Sequence, residues 1–183
     1  EVVLTASGAD AAHAAFSNLF VQTEINANQN AILCTRRARS MEEQPPWMFH
    51  LMKVSGVDAD RIDYETDRSK FIGRGNSTSN PRAIVTSELL SGSQGSVLDP
   101  IVSIQYRIKL NAGESATIDI ITGAATSREG NQSLIDKYQD KHLRDRAFEL
   151  SWTHSQVVLR QIGASEVYAQ LYGRLASSVI YAN

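Results

Sequence analysis

In the stretch Ile101-Val-Ser-Ile-Gln-Tyr-Arg-Ile-Lys-Leu110, apolar and polar residues alternate without interruption. Because successive side chains of a β-strand leave opposite faces, this alternation predicts a half-buried antiparallel strand. The turn residues Asn111-Ala-Gly-Glu114 come next, and alternation resumes at Ala116, Ile118 and Ile120. Two alternating stretches joined by a turn predict a β-hairpin.

Shorter strand-like stretches precede this one and are separated by loops rich in Gly, Asn and Ser. Short strands punctuated by such loops are typical of an all-β sandwich rather than of βαβ units. The predicted fold class is therefore mainly β, an antiparallel β-sandwich. Its other predicted strands are Leu19–Ile25, Ala31–Arg36, Trp47–Val54, Arg61–Glu65 and Ala83–Thr86.

The periodicity changes from strand-like to helical at Thr126. Thr126-Ser-Arg-Glu129 fits a capping box at a helix start, and Ser127 is an equally good cap. Gly163 can end a helix and Ser165 can begin the next. We therefore predict a β-sandwich domain over residues 1–125 and C-terminal linker helices over residues 126–183. The last helix carries an apolar stripe that needs a partner surface, formed by Val167, Leu171, Leu175 and Val179.

Composition excludes several classes of protein. The 183 residues contain 18 Lys and Arg against 20 Asp and Glu, so the net charge is 18 − 20 = −2. This balance argues against a broad basic surface for nucleic acid. No uncharged apolar run approaches the roughly 18 residues of a membrane helix. The sequence has one cysteine, which excludes an intrachain disulfide. Its four histidines are scattered along the chain, so we expect no structural zinc site.

The two ends of the sequence suggest a segment of a larger protein. The chain begins at Glu1 rather than at a methionine, and no signal peptide is visible. It ends inside an apolar, helix-like stretch, Ser178-Val-Ile-Tyr-Ala-Asn183. We expect the segment itself to be soluble.

Three acidic residues, Asp63, Glu65 and Asp67, would share one face of a strand. Adjacent members would lie about 6.6 Å apart, near the carboxylate separation of inverting glycosidases. They would project in parallel from one ribbon, however, instead of flanking a scissile bond. We favour a solvated strand face over a sugar-contacting surface.

The loop Gly73-Arg-Gly-Asn-Ser77 resembles a phosphate-binding loop only superficially, because it lacks the Gly-Lys-Ser/Thr ending. A plain loop is the simpler interpretation. Arg74 and Asn76 on this loop nevertheless offer several hydrogen-bond donors to sugar hydroxyls or to a phosphate.

Other candidate residues have simple structural interpretations. Trp47 follows two prolines and is suited to stacking on a sugar ring, although core packing is the commoner role for Trp. The basic cluster Arg36, Arg37 and Arg39 suits surface salt bridges, and Cys34 suits a buried position. No nucleophilic serine motif or oriented histidine is visible, so no catalytic residue is assigned.

Several strings, in this order, closely resemble the glycoside hydrolase family 94-like region of bacterial cyclic β-1,2-glucan synthases, formerly grouped as glycosyltransferase family 36. The resemblance runs from about Phe16 to Asn183, nearly the whole chain. The strings are Phe16-Ser-Asn-Leu-Phe-Val-Gln-Thr-Glu24, Ile32-Leu-Cys-Thr-Arg-Arg37, Trp47-Met-Phe-His50, Tyr64-Glu-Thr-Asp-Arg68, Phe71-Ile-Gly-Arg-Gly75, Leu98-Asp-Pro-Ile101, Lys137-Tyr-Gln-Asp140 and Trp152-Thr-His-Ser-Gln156.

The resemblance implies a division of labour between domains. It implies that the chain is the N-terminal β-sandwich of that region, a supersandwich similar to galactose mutarotase, followed by a helical linker to an (α/α)6 barrel. The barrel would hold the catalytic acid and the phosphate site. The sandwich would line the acceptor side of the sugar site and contribute to a homodimer.

The resemblance also assigns tentative carbohydrate-binding residues. In the family, a loop that begins Thr-Asp-Arg contributes to the sugar site. The matching loop of this chain assigns that role to Asp67, Arg68 and Arg74, and less directly to Asn76. Where the family is expected to show a second Arg, this chain has Asn76, which weakens any phosphate contact. Trp47 completes the candidate set on its stacking potential.

Three hypotheses follow. The first is a non-catalytic scaffold that assists glucan processing by the barrel and has no synthase or phosphorolytic activity alone. The second is a self-sufficient carbohydrate-binding module, and the third a purely structural dimerisation element. The parent protein would use UDP-glucose at the cytoplasmic face of the bacterial inner membrane. No cofactor is expected here, and the expected partners are a β-1,2-glucan or related oligosaccharide, the barrel and a second copy in a homodimer.

Overall fold

The computed structural model describes residues 1–86 and 88–180, in which antiparallel strands dominate the first part and helices the last. The strands are β1 (Val21–Asn26), β2 (Ala31–Arg36), β3 (Trp47–Ser55), β4 (Ala59–Asp67), β5 (Gly95–Ser96), β6 (Pro100–Ile108) and β7 (Thr117–Ala125). The helices are α1 (Ser7–Asn18), α2 (Arg68–Ile72), α3 (Arg82–Val85), α4 (Arg128–Gln139), α5 (Lys141–Gln161) and α6 (Glu166–Ile180). The predicted fold class, mainly antiparallel β with C-terminal helices, is confirmed.

The described strands form a five-stranded sheet in the order β5-β1-β2-β3-β7 and a two-stranded sheet of β4 and β6. The predicted hairpin between Ile101–Leu110 and the following stretch is wrong. β6 pairs with β4, whereas β7 pairs with β3 from Ser55–Thr117 to Trp47–Ala125. Alternation reports that a strand has one buried face, but it carries no information about which strand lies at its edge.

A hydrophobic cluster fills the space between the two sheets. Val21, Ile32 and Cys34 of the larger sheet pack with Tyr64 of β4, and Val102 and Ile104 of β6 cover them. The predicted burial of Cys34 is confirmed, since its exposed fraction is 1%. Burying each large apolar side chain contributes about 1.5–3 kcal/mol, so this cluster holds the sheets face to face.

The opposite face of the larger sheet is covered by α4. Leu33, Phe49 and Leu51 form a second cluster with Ile135, which is fully buried. Gly123 of β7 lies under the Phe49 ring, and a Cβ there would come within 2.5 Å of Phe49 Cε1. Glycine is needed at this position because the aromatic ring occupies the space of a side chain.

The switch from strand to helix occurs where the periodicity changes. β7 ends at Ala125 and α4 begins at Arg128, and the Ser127 hydroxyl accepts a hydrogen bond from the Gly130 N–H at 3.0 Å. Ser127 is therefore the N-cap of α4, which confirms one of the two predicted alternatives and not the other, Thr126. The division at residues 125 and 126 stays a prediction, and the contacts group α4 with the sheets in a compact unit, Glu1–Gln139.

A second unit begins at Asp140, whose side chain caps α5 by accepting the His142 N–H at 2.8 Å. This break between α4 and α5 was not predicted, whereas the predicted boundary at Gly163 and Ser165 is confirmed. α5 ends just before Gly163, where φ is +62°, and the Ser165 hydroxyl accepts the Tyr168 N–H at the start of α6. Among the helices of the described residues, none is long and apolar enough to cross a bilayer.

One predicted strand, Ala83–Thr86, is wrong. This segment is the short helix α3, which starts after Pro81 and closes with a Thr86 N–H to Arg82 O hydrogen bond of 2.9 Å. Proline has its φ already fixed near the helical value, which favours starting a turn. Four residues are too few for apolar spacing to separate a strand from a helical turn.

Candidate functional site

The chain that leaves β4 folds into two short helices, and side chains at their ends set its path. Asp67 caps α2, since its Oδ1 accepts the Ser69 N–H at 2.9 Å and the Ser69 hydroxyl at 2.6 Å. Gly73 ends α2 with a φ of +79° and passes close to α3. A Cβ at Gly73 would lie 2.7 Å from the Cβ of Arg82, so the close approach of the two helices requires glycine.

This arrangement leaves a cavity of about 410 Å³, which we call the α2–α3 cavity. One wall comes from α2 and the loop after it, and the other comes from α3 and the segment that follows. Glu65, at the end of β4, lies between the two walls. The lining side chains include Ser69, Lys70, Arg74, Arg82, Thr86, Glu88, Leu89, Leu90 and Ser91.

Glu65 corrects the prediction of a solvated acidic face. Its side chain is 1% exposed, and Asp63 is half-buried beside Arg61, with Nε and Oδ2 2.5 Å apart. The register between β4 and β6 shifts between Glu65 and Asp67, so the three carboxylates do not follow a regular strand face. The chain around Ser91 also folds back against Glu65. Regular alternation cannot anticipate a bulge or a covering loop.

The cations of the cavity differ in how they are engaged. Arg82 forms an ion pair with Glu88, and the Lys70 ammonium donates to the Ser93 hydroxyl at 2.7 Å. Arg74 is exposed, and within residues 1–86 and 88–180 no side chain is hydrogen-bonded to its guanidinium. Asn76 supports the same loop through a 3.5 Å contact of its Nδ2 with the Arg74 carbonyl. Of the three cations of the cavity, Arg74 is therefore the one whose donors are not used by another side chain of the described residues.

Of the five predicted carbohydrate-binding residues, Arg74 lines the cavity, and Asp67 and Asn76 shape its wall. Arg68 is engaged elsewhere, because its guanidinium faces Glu1 at 3.7 Å and Asp99 at 3.5 Å. Its backbone N–H also donates to the Asp99 carbonyl at 3.0 Å.

Trp47 lies at the start of β3 in the five-stranded sheet, away from the segment that forms the cavity. It is half-buried and packs against the cluster of Leu33, Phe49 and Ile135. A side chain committed to this cluster offers less ring surface for stacking on a sugar.

The basic cluster is only partly a surface feature. Arg36 is 7% exposed and forms an ion pair with Glu43, whereas Arg37 and Arg39 are exposed. The Arg39 N–H donates to the same carboxylate at 2.5 Å, and this hydrogen bond, with the arginine charges, lowers the pKa of Glu43. The cluster thus fixes the loop after β2.

The other strongly shifted side chains lie in the sheets. Burial raises the pKa of the Cys34 thiol to about 12 and that of Tyr106, whose hydroxyl donates to the Met52 carbonyl at 2.7 Å, also to about 12. Burial lowers the pKa of His50, which pairs with Thr122 at 2.9 Å. In the described part of the chain, no group of His, Cys, Asp and Glu side chains is arranged to hold a metal ion.

Glu65, Lys70 and Ser91 line the cavity but were not among the predicted site residues. Glu65 and Lys70 are near Asp67 and Arg74 in sequence, so their proximity was available as a signal. Ser91 lies in a Ser/Gly-rich loop, and nothing in that loop indicates that it returns to β4.

Comparison with known proteins identifies the family. The sequence model of the family described as "Glycosyl hydrolase 94, supersandwich domain" matches residues 1–141, which include every residue of the α2–α3 cavity. The chain belongs to this family. The resemblance drawn from the sequence strings is thereby confirmed, and the antiparallel two-sheet architecture is consistent with a supersandwich domain.

The supersandwich domain is also similar to part of a much longer protein. The chain as a whole, including the helices after residue 141, is 32% identical over 181 residues to the cyclic beta-(1,2)-glucan synthase NdvB of Rhizobium meliloti (strain 1021). The alignment covers 99% of this chain and 6% of NdvB. The domain is thus a homologue of one small region of that synthase.

Proposed function

We propose that this supersandwich domain is a non-catalytic, carbohydrate-binding scaffold of a cyclic β-1,2-glucan synthase, with the α2–α3 cavity as its glucan site. In this proposal a neighbouring (α/α)6 barrel performs the bond chemistry, and UDP-glucose is the donor used by the parent protein. The parent protein works at the cytoplasmic face of the bacterial inner membrane. The proposal rests on the family and on the geometry of the cavity.

The single observation that carries the proposal is the exposed guanidinium of Arg74 at the cavity wall, to which no side chain of residues 1–86 and 88–180 is hydrogen-bonded. Gly73 and Gly75, both with positive φ, fix the turn that presents it. A guanidinium offers several N–H donors in a planar fork, which suits the hydroxyl pairs of a sugar ring. Leu89 and Leu90 add apolar surface beside these polar groups, as in sites that bind the C–H face of a sugar.

The carboxylates of the cavity are committed to structural contacts, which supports a non-catalytic role. Glu65 accepts four hydrogen bonds, Asp67 caps α2, and Glu88 pairs with Arg82. General acid–base chemistry on a glycosidic bond needs two carboxyl groups placed on either side of that bond. These three instead hold the polypeptide in place.

The test is titration of the purified domain with β-1,2-linked gluco-oligosaccharides by calorimetry. We expect saturable binding that weakens about tenfold or more in Arg74→Ala, since hydrogen bonds to a charged group contribute about 1.5–3 kcal/mol. Arg37→Ala is the matched control, because Arg37 is also exposed and lies outside the cavity, and it should bind as the wild type does. Trp47→Ala should lower stability without a specific loss of affinity.

Two outcomes would contradict the proposal. Equal affinities of the wild type and Arg74→Ala would exclude the α2–α3 cavity as the glucan site. Release of glucose 1-phosphate from β-1,2-glucan and phosphate by the domain alone would show that it is catalytic. If the wild-type domain shows no binding up to millimolar sugar, the hypothesis of a self-sufficient carbohydrate-binding module is excluded. The same Arg74→Ala substitution is then tested in the protein that also contains the barrel, where equal sugar affinities of wild type and variant would exclude a role for Arg74.

A further inference from the structure

The carboxylate of Glu65 joins the two walls of the α2–α3 cavity. Its Oε1 accepts the N–H groups of Thr66 and Asp67, both at 3.0 Å, which fixes the backbone that leads into α2. Its Oε2 accepts the Ser91 N–H at 3.2 Å and the Ser91 hydroxyl at 2.5 Å, which fixes the opposite wall. One buried side chain therefore links two segments that are 26 residues apart in the chain.

The surroundings of Glu65 explain why this position needs a carboxylate, with two oxygens that accept hydrogen bonds. The side chain is 1% exposed, and in the described residues it forms no ion pair with a cation. Burying an unpaired charge is costly unless hydrogen bonds replace its water. Four donors converge on two acceptor oxygens, and a glutamine would replace one of those oxygens with an NH2 group. Facing Thr66 and Asp67, that NH2 would meet two N–H donors; facing Ser91, it would deprive the Ser91 N–H of its acceptor and force the Ser91 hydroxyl to turn and accept, so the contact to one wall would be weakened.

Neighbouring contacts show that the segment after Glu88 is held mainly by polar bonds. The Gly92 N–H donates to the Tyr64 carbonyl at 3.0 Å, and the Thr66 hydroxyl donates to the Ser93 carbonyl at 2.8 Å. These two bonds attach the segment to β4, and the exposed Lys70 ammonium, which donates to the Ser93 hydroxyl at 2.7 Å, attaches it to α2. Glu65 differs because it is buried and also holds the last two residues of β4, and thereby the direction of α2 and the loop that carries Arg74.

We infer that Glu65 is a positioning residue of the proposed glucan site, which aligns the Arg74 loop with the wall around Ser91 without touching the sugar itself. The inference rests on the proposed glucan-binding function. A site performs well only when a supporting layer of hydrogen bonds holds its contacting groups in place. Loss of the Glu65 bridge should therefore lower sugar affinity while the sheets stay folded.

The experiment compares the wild type with Glu65→Gln and Ser91→Ala in the same oligosaccharide titration, together with amide hydrogen exchange. We expect affinity to fall about tenfold in Glu65→Gln and less in Ser91→Ala, with faster exchange of the Thr66, Asp67 and Ser91 amides. Ser91→Thr keeps a hydroxyl for Oε2 and should restore binding. Glu114→Gln is the matched control, since that exposed carboxylate also accepts two hydrogen bonds, from Asn111 at 2.9 and 3.1 Å, in a distant turn.

The outcomes separate this inference from the function on which it rests. Wild-type affinity in Glu65→Gln and Ser91→Ala, despite faster amide exchange, would overturn the positioning role and leave the glucan site standing. Absence of binding by the wild type in the barrel-containing protein would overturn both. If Glu65→Gln does not fold, the pair Ser91→Ala and Ser91→Thr carries the test, because those substitutions leave the buried charge in place.

Discussion

Helices α4 and α6 have similar apolar spacing in sequence but very different surroundings. Ile135 of α4 is fully buried against the five-stranded sheet, whereas Leu171 and Val179 of α6 are 48% and 81% exposed. Apolar periodicity thus predicts a helix and its interacting face, but burial depends on a partner surface. In the first unit that partner is β3 and β7, so α4 belongs to the cooperative core although it follows the sandwich in sequence.

The largest expected effect tests whether α4 is a core element. Ile135→Ala should lower the free energy of unfolding by about 2–5 kcal/mol, because it removes buried methyl groups and leaves a cavity. Leu171→Ala on α6 is the matched control and should change it by no more than about 0.5 kcal/mol. Denaturant unfolding followed by circular dichroism measures both. Similar losses at the two positions would contradict the comparison.

A medium effect concerns the start of the same two helices. Ser127→Ala should cost about 1 kcal/mol, because the Gly130 N–H loses its acceptor at a helix start that is part of the core unit. Ser165→Ala removes the corresponding contact in α6 and should leave the unfolding midpoint of the first unit unchanged. Thr126→Ala should also be close to neutral. A larger loss of unfolding free energy in Thr126→Ala than in Ser127→Ala would show that Thr126, rather than Ser127, caps α4.

The smallest effect comes from the ion pair between Arg128 of α4 and Glu24 of β1, whose side chains are 44% and 42% exposed. The hydrogen bond from Arg128 holds the pKa of Glu24 below its ordinary value. A carboxyl group with a lowered pKa stabilises the fold above its unfolded pKa, and this contribution disappears as pH falls through the folded pKa.

Because the pair is well exposed, Arg128→Gln should cost less than about 1 kcal/mol at neutral pH. The difference from the wild type should shrink at high salt and vanish in acid, as measured by unfolding across a pH series. A difference that persists after Glu24 is protonated would show that Arg128 acts through packing rather than charge.

Strand positions were well predicted because alternation directly reflects burial of one face. Ala31–Arg36 is β2 with the predicted bounds, and Trp47–Val54 differs from β3 by one residue. The one predicted strand pair was wrong, since β6 and β7 are neighbours in sequence and still join different sheets. Pairing depends on the hydrogen-bonding edges of the strands, and these are backbone groups that every residue shares.

The candidate site was predicted in part. The glycine-flanked loop that brings Arg74 to the cavity is visible in sequence, whereas the packing of Trp47 against the cluster of Leu33, Phe49 and Ile135 is not. Glu65 was interpreted as solvated because the chain that covers it returns from Ser91, far along the sequence. Burial of a polar side chain is a tertiary property, and local patterns carry little information about it.

The reactivity of the buried Cys34 thiol can report how often the two sheets separate. It is the one cysteine of the sequence and sits in the cluster between the sheets, with its pKa raised to about 12. Since the thiolate is the reactive form, an alkylating reagent at neutral pH modifies this sulfur only after the sheets separate. The rate of labelling therefore measures separation of the two sheets in the native protein, without any engineered probe.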